Sequence, residues 1–387
     1  MNIKRIFIIL GKIIIAGLTV YSLVLIAGFL LVKYNITNTA GQIDQKNNDF
    51  QANEEFINSI TATQALSSFI TSNALPKAED SQAIINRKKD FCRIRAIKDY
   101  SPKNAQKILQ IVKEYNNEML INKMIFAVSL KLDKNTFYKE KIALCDKAYK
   151  NENINPDEAL SKLNNATSSS LFIWQNYEEW SNMREALIKD KEVIYLAASS
   201  TNIEPRLLVS IAIVEQLRMY YTQRALYKQF FAPLKILGNA TKFSLGIMNI
   251  KEKTAIETEE HLKDRASNYY LGPAFENFLD FKATSTTDER YKRLTDEKNH
   301  YYSYLYGALY IKQIMIQWQR AGFDISERPE IISTLFNVGF KNSHPKAKPE
   351  VGGAEIEIGG IKYSFGSLSY EFYYSGEMEN IFPYNKN

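Results

Sequence analysis

Cysteine is scarce in this 387-residue chain, which has only Cys92 and Cys145. Neither lies in a C-x-x-C pair, and His261, His300 and His344 share no metal-ligand spacing. A zinc site therefore has no ligand set, and neither a metal nor a cofactor is expected. If the bulk of the chain is exported, Cys92 and Cys145 can form one disulfide; two buried thiols are the alternative. No lipobox cysteine is present, which excludes a lipoprotein anchor. Ten prolines and sixteen glycines are too few for long disordered tracts. Charge of one sign is also thin, with 49 Lys and Arg against 43 Asp and Glu, a net +6. Such an excess keeps a chain soluble and mildly favours an anionic polymer or membrane surface. No basic stripe or nucleic-acid motif accompanies it, so nucleic acid is not an expected partner. No internal repeat is visible.

Apolar residues are plentiful, at 45% of the chain, enough for one or two buried domains. One stretch stands apart. Residues 13–32, IIIAGLTVYSLVLIAGFLLV, are uncharged and mostly apolar, and about 20 such residues cross a bilayer as a helix. Lys4, Arg5 and Lys12 precede the run and only Lys33 follows closely. The positive-inside rule then keeps the N-terminus in the cytoplasm and exports the rest. The run is longer than the apolar part of a cleaved signal peptide and no A-x-A site follows it. An uncleaved single-pass anchor in the inner membrane is expected, with the bulk of the chain in the periplasm.

After the anchor (1–33), residues 34–60 are rich in Asn, Gln, Asp and Thr and suit a polar stalk. From about 61 to 170 the pattern is helical, with loops at Leu75-Pro76, Ser101-Pro102 and Asn155-Pro156. The last two read as helix starts, with Ser or Asn as cap and Pro in the first turn. Ile108, Ile111, Val112 and Tyr115 recur at helical spacing as a core face. No catalytic constellation appears, so 34–170 reads as a helical stem or adaptor. The small polar run 164–170 is the expected boundary. Helical segments follow near 171–200, 205–222, 254–264 and 299–321. Alternating residues on both sides of Gly359-Gly360 predict a β-hairpin over 354–365. The fold class is therefore mainly α, with a small β-hairpin in an α+β C-terminal domain, 171–387.

Chemistry concentrates at Glu215. Pro205 can open a helix that is apolar nearly all round from Leu207 to Val214, hence buried. Helical spacing puts Glu215 on a face with Leu208, Ile211, Ala212 and Met219. An acid among apolar neighbours resists ionisation, and a protonated carboxyl is what glycosidic-bond cleavage needs. The alternative is a Glu that reaches solvent or pairs with Arg218. Downstream, Phe243, Leu245 and Ile247 alternate with Ser244, Gly246 and Met248, which suits a short strand. Gly246 there would let a sugar or backbone approach closely. Thr254 and Glu257 have capping-box spacing and predict a helix start at Thr254.

These residues resemble the lysozyme-like lytic transglycosylases over about 190–340. Tyr195-Leu196-Ala197-Ala198 and Ile203 to Leu208 resemble the stretch leading to that family's catalytic Glu. Ser244-Leu245-Gly246-Ile247-Met248-Asn249-Ile250, then Thr254-Ala255, resembles its S-x-G-x-M-Q-[IV] motif. Gly307-Ala308-Leu309-Tyr310-Ile311 resembles G-A-x-Y-[LI], and Leu335-Phe336-Asn337-Val338-Gly339 resembles A-Y-N-x-G. Asn249 replaces the usual Gln, Phe336 the usual Tyr, and Gln216 the usual Ser after the acid. The 29-residue step from Glu215 to Ser244 is closer to goose-type lysozymes. The resemblance implies Glu215 as catalytic acid, with Ser244, Gly246, Met248, Asn249, Tyr310, Phe336 and Asn337 in one groove, Asn337 at a second helix start. It implies peptidoglycan glycan strands as substrate. Protein partners in an envelope machine would be compatible with it.

No Asp or Glu lies between Glu215 and Ser244. A two-carboxylate glycosidase needs its second acid within about 5–9.5 Å of the first, so the spacing favours one acid working alone. In the resembled family that acid protonates the leaving oxygen, then deprotonates the sugar's own 6-hydroxyl, giving 1,6-anhydro-muramyl ends. Glu204, Glu252, Glu257 and Asp324 remain as candidates for a second acid. A hydrolytic muramidase and a non-catalytic peptidoglycan-binding scaffold are the competing readings. The aromatics of 218–235 (Tyr220, Tyr221, Tyr227, Phe230, Phe231) suit an inserted loop.

Overall fold

A computed structural model of the chain describes residues 3–33, 82–115, 117–163, 169–221 and 244–385. The expected stalk, the Leu75-Pro76 loop, most of the 164–170 boundary, and Tyr227, Phe230 and Phe231 lie outside the described residues. The described chain is mainly helical. Ile3–Lys33 form one helix, α1, spanning the apolar run. Ile13, Leu18, Val20, Leu23 and Ile26 on it are more than half exposed. Its side chains are described for residues 11–24, 26 and 27. Among the described residues, no helix is long and apolar enough to cross a membrane.

The next helices are α2 (Gln82–Lys98), α3 (Pro102–Tyr115), α4 (Glu118–Leu132), α5 (Thr136–Ala148) and α6 (Pro156–Ser161). Short polar side chains start α4, α5 and α6, since orphan amides at a helix N-terminus need acceptors. Asn117, Asn135 and Asn155 accept from the amides of Leu120, Tyr138, and Asp157 and Glu158. Ser101 and Pro102, and Asn155 and Pro156, stand where the sequence put helix starts. Ile108, Ile111 and Val112 are buried. Cys92 and Cys145 are disulfide-bonded, tying α2 to α5.

Beyond residue 170 come a 3₁₀ turn at Ile173–Asn176, then α7 (Glu178–Lys189), α8 (Lys191–Thr201) and α9 (Pro205–Tyr221). The single helical segment expected over 171–200 is thus broken, the last time at Asp190. A two-stranded ribbon follows, β1 (Ser244–Leu245) and β2 (Ile250–Lys251). Then come α10 (Glu252–Lys263), α11 (Thr286–Thr295), α12 (Tyr301–Arg320) and α13 (Pro329–Val338). Helix α10 starts at Glu252 rather than Thr254, because the chain turns into it directly from β2; Lys251 is the cap position and gives no side-chain cap. The predicted hairpin is present as β3 (Glu355–Ile358) and β4 (Ile361–Ser364), with Ile358 opposite Ile361. Gly359 and Gly360 have φ of 57° and 78°, as a two-residue turn between twisted strands requires. Phe365 does not extend β4. It opens α14 (Phe365–Tyr373), capped by Ser364 and Ser367.

One buried cluster runs from Phe91 to Tyr384 and includes residues on both sides of 164–170. Phe126 of α4 meets Tyr370 of α14 edge-on, and Lys131 ion-pairs with buried Glu371. Arg206, fully buried in the first turn of α9, donates to the carbonyls of Phe372, Tyr373, Glu377 and Phe382 and to the Tyr384 hydroxyl. Those carbonyls include orphans at the C-terminus of α14. Arg206 thereby fixes the start of the helix that carries Glu215.

Candidate active site

Helix α9 is buried from Leu207 to Val214, and Glu215 in its second half is 3% exposed. Burial of the acid is as the apolar run predicts; its surroundings are not. Arg218, one turn on, donates from Nε at 3.1 Å and from Nη2 at 2.5 Å, both to Glu215 Oε2. Asn249 donates from Nδ2 to the same oxygen at 2.8 Å. The expected environment of apolar side chains alone is thereby corrected: Arg218, weighed as the alternative partner, is the partner. Among the described residues no hydrogen bond reaches Oε1. The carboxyl is thus held through Oε2.

The turn that delivers Asn249 is built from the expected motif. Of the expected strand, Phe243 lies outside the described residues, and among the described residues 244–248 only Ser244 and Leu245 pair, with Lys251 and Ile250 respectively. The chain then reverses through 246–249, and the Asn249 amide donates to the Gly246 carbonyl at 3.1 Å. Gly246 has φ 68°, and a Cβ there would lie 2.0 Å from the Leu294 carbonyl oxygen of α11. Of the two close approaches expected at this glycine, sugar or backbone, the structure has backbone. Met248 is fully buried, and its amide donates to Ser303 Oγ. It lies against Gly307, where a Cβ would come within 2.7 Å of its Cε. Asn249 is left-handed, φ 52°, a conformation Asn tolerates better than most residues. Gln216 donates from Nε2 to the Ile247 carbonyl at 2.6 Å and ties the turn to α9.

Tyr310 on α12 is buried, and its hydroxyl donates to the Phe336 carbonyl. Its pKa is pushed well above the ordinary value, first by burial, then by the carboxylate of Glu257, by Tyr269 and by the carboxylate of Glu215. Tyr310 therefore lies within electrostatic reach of Glu215 as a neutral phenol. The Phe336 ring packs against that of Tyr310 at 4.9 Å. Asn337 lies in the last turn of α13, not at a helix start, because Pro329 opens this helix eight residues earlier. Its Oδ1 accepts the Ala354 amide at 2.9 Å, holding the chain that leads into β3. Strand β3 in turn packs on α9. Among the described residues no hydrogen bond joins Asn337 to Glu215.

The candidates for a second acid are mostly occupied. Glu204 lies eleven residues back, about 16 Å along the helix at 1.5 Å per residue, and accepts from Tyr373. Glu252 is buried with Arg290 at 3.8 Å. Asp324 caps the turn at Ser326. Glu257 pairs with Lys253 at 3.5 Å and shares Tyr310 as a neighbour with Glu215. The face of α9 that carries Ala212 and Gln216 lines a mostly apolar cleft of about 240 Å³, together with Met183, Leu187, Ile247 and Tyr304 among others; Glu215 is not part of its lining. Tyr221 at the end of α9 donates to Glu179 on the cleft rim.

No family model, curated protein or solved structure matches the chain. The chemistry of the site therefore rests on its own residues. Among the described residues no cluster of three His, Cys, Asp or Glu is placed to hold a metal ion. What the site offers is one buried carboxyl group whose hydrogen bonds, among the described residues, all go to one oxygen; a single carboxyl of this kind can move one proton. Sequence reasoning missed the roles of Ser303 and Leu294. Their signal is tertiary, since α11 and α12 must first pack on the 246–249 turn.

Proposed function

We propose that the protein is a peptidoglycan lytic transglycosylase with Glu215 as its only catalytic acid. The observation that carries this reading is the meeting of Asn249, from the S-x-G-x-M turn, with a buried Glu215. Two of the four motifs of the resemblance thereby meet at hydrogen-bond distance. Glu215 protonates the oxygen between the N-acetylmuramic acid and N-acetylglucosamine residues, and that bond breaks. The resulting carboxylate takes the proton of the same sugar's 6-hydroxyl as its oxygen closes on C1. The tethered hydroxyl acts at high effective concentration, and no water is consumed. The apolar run of α1 supports single-pass anchoring in the inner membrane, and the disulfide supports export, since such bonds persist in oxidising compartments. The substrate is then the glycan strand facing the periplasmic side.

A non-catalytic peptidoglycan-binding scaffold is the second reading, favoured by Phe336, which puts no hydroxyl beside the acid. Mass spectrometry of purified sacculi incubated with the full chain separates the readings. Lytic cleavage gives 1,6-anhydro ends, about 18 Da lighter than hydrolysed ends because no water is added, and Glu215→Gln abolishes them while the fold persists. Reducing muramic ends would indicate a muramidase and point to Glu257. Binding to sacculi without new ends of either kind would indicate the scaffold.

A further inference from the structure

Arg218 does more at the acid than balance its charge. A guanidinium facing a carboxylate side-on shares its donors between both oxygens. Here Nε and Nη2 both go to Oε2, and Asn249 Nδ2 reaches the same atom from the opposite element. Three donors on one oxygen, from a helix and from a turn, fix the carboxyl group about its Cγ–Cδ bond. Both partners are almost out of water, with side chains 9% and 3% exposed, where such bonds strengthen. The clamp is also compatible with both protonation states of a working acid. A carboxyl protonated on Oε1 still presents Oε2 as a carbonyl acceptor to the same three donors. Nothing then has to rearrange when Oε1 gives its proton to the glycosidic oxygen or takes one from the 6-hydroxyl.

We propose that Arg218 is a positioning residue that, with Asn249, holds Oε2 so that Oε1 alone exchanges the proton. The proposal rests on the transglycosylase reading. It also accounts for an arginine rather than a lysine: two coplanar donors set the carboxyl's rotation, whereas an ammonium acts as a point charge.

The experiment measures turnover of soluble glycan strands by the full chain carrying Arg218→Met, Arg218→Lys or Arg218→Ala, with thermal unfolding to verify folding. Arg218→Met lowers kcat by about 10²-fold, the scale of a small misplacement of a catalytic group, and leaves KM within about threefold. Arg218→Lys recovers part of the loss. Ethylguanidinium added to Arg218→Ala restores turnover in a saturable way, which a merely structural defect would not allow. Wild-type kcat in Arg218→Met, a loss confined to KM, or a folded Arg218→Ala that ethylguanidinium leaves inactive overturns the positioning role and leaves the enzyme reading intact. A wild-type chain that releases no fragments overturns both, and is recognised before any variant is compared.

Discussion

Asp90 offers a quantitative test of the packing in the first helical unit. It lies on α2, 4% exposed, and accepts from Arg93 Nη1 at 3.2 Å. Arg93 also reaches Asn122 and Asp146. Burial raises the Asp90 pKa from its ordinary 3.8 to about 7; Arg93 opposes the shift, Glu118 adds to it and Lys89 slightly opposes it. Between those values the unfolded chain holds an ionised Asp90 and the folded chain a protonated one, so unfolding releases a proton. The stability contributed by this site is therefore complete below pH 3.8 and is lost as pH rises through about 7. At about 1.36 kcal/mol per pH unit, the loss totals about 4 kcal/mol, of which about 2.5 kcal/mol falls between pH 5 and pH 8. Asp90→Asn keeps an acceptor for Arg93 and removes the titration. Urea unfolding of both proteins at pH 5 and pH 8 isolates the effect, since every other titrating group cancels in the difference. The stability of Asp90→Asn relative to wild type is expected to rise by about 2.5 kcal/mol between the two pH values. A difference that stays flat, or falls, would show that Asp90 is ionised in the folded protein and refute the reasoning.

Three further outcomes follow from the contacts around α9 and α2. Arg206→Met strands the carbonyls that Arg206 satisfies in the C-terminal segment and is expected to cost about 3–5 kcal/mol in denaturant unfolding. Gly246→Ala puts a Cβ 2.0 Å from the Leu294 oxygen at φ 68°; it is expected to cost about 2–4 kcal/mol and to remove glycan cleavage by displacing Asn249. Gly360→Ala, also at positive φ but with open space around its Cβ, is the matched control and costs only about 1 kcal/mol. Opening the Cys92–Cys145 bond, which closes a 53-residue separation, is expected to cost about 4 kcal/mol. A reductant should then lower the melting temperature of the wild type and not that of Cys92→Ser/Cys145→Ser.

Features set by local chemistry were legible in the sequence. Asn155-Pro156 starts a helix because both residues act within one turn, and Gly359-Gly360 makes a hairpin because two left-handed residues must sit between the strands. The buried position of Glu215 could be read from the apolar run before it. Features set by partners were not legible. Helix α11 has one buried aliphatic residue, Leu294, and is otherwise held by tertiary bonds: Arg290 to Glu259 in a bidentate pair, and Arg293 to the carbonyls of Leu279 and Asp280. Nothing local marks those bonds, and α11 was not anticipated. Asn337 lies at the end of its helix and not at a start, because Pro329, outside the motif, opens α13 upstream. The three-residue step from Glu215 to Arg218 permits a pair on a helix. That it forms, and on one oxygen, depends on where α9 packs.

The motif residues divide by what they touch, and the division bears on what their presence means. Gly246 makes room for the backbone of Leu294, Gly307 makes room for Met248, Phe336 packs on Tyr310, and Asn337 holds the amide of Ala354. These contacts bear on how α9, the 246–249 turn, α12 and α13 pack, and among the described residues none of these side chains hydrogen-bonds the carboxyl group of Glu215. Asn249 does touch it, and so does Arg218, which belongs to no motif. A chain that kept the first set and lost the second would retain the same scaffold around an acid free to rotate. Retention of the motif pattern is thus an argument about geometry. The proposed catalysis depends instead on the three side chains that meet at Oε2: Glu215, Asn249 and Arg218.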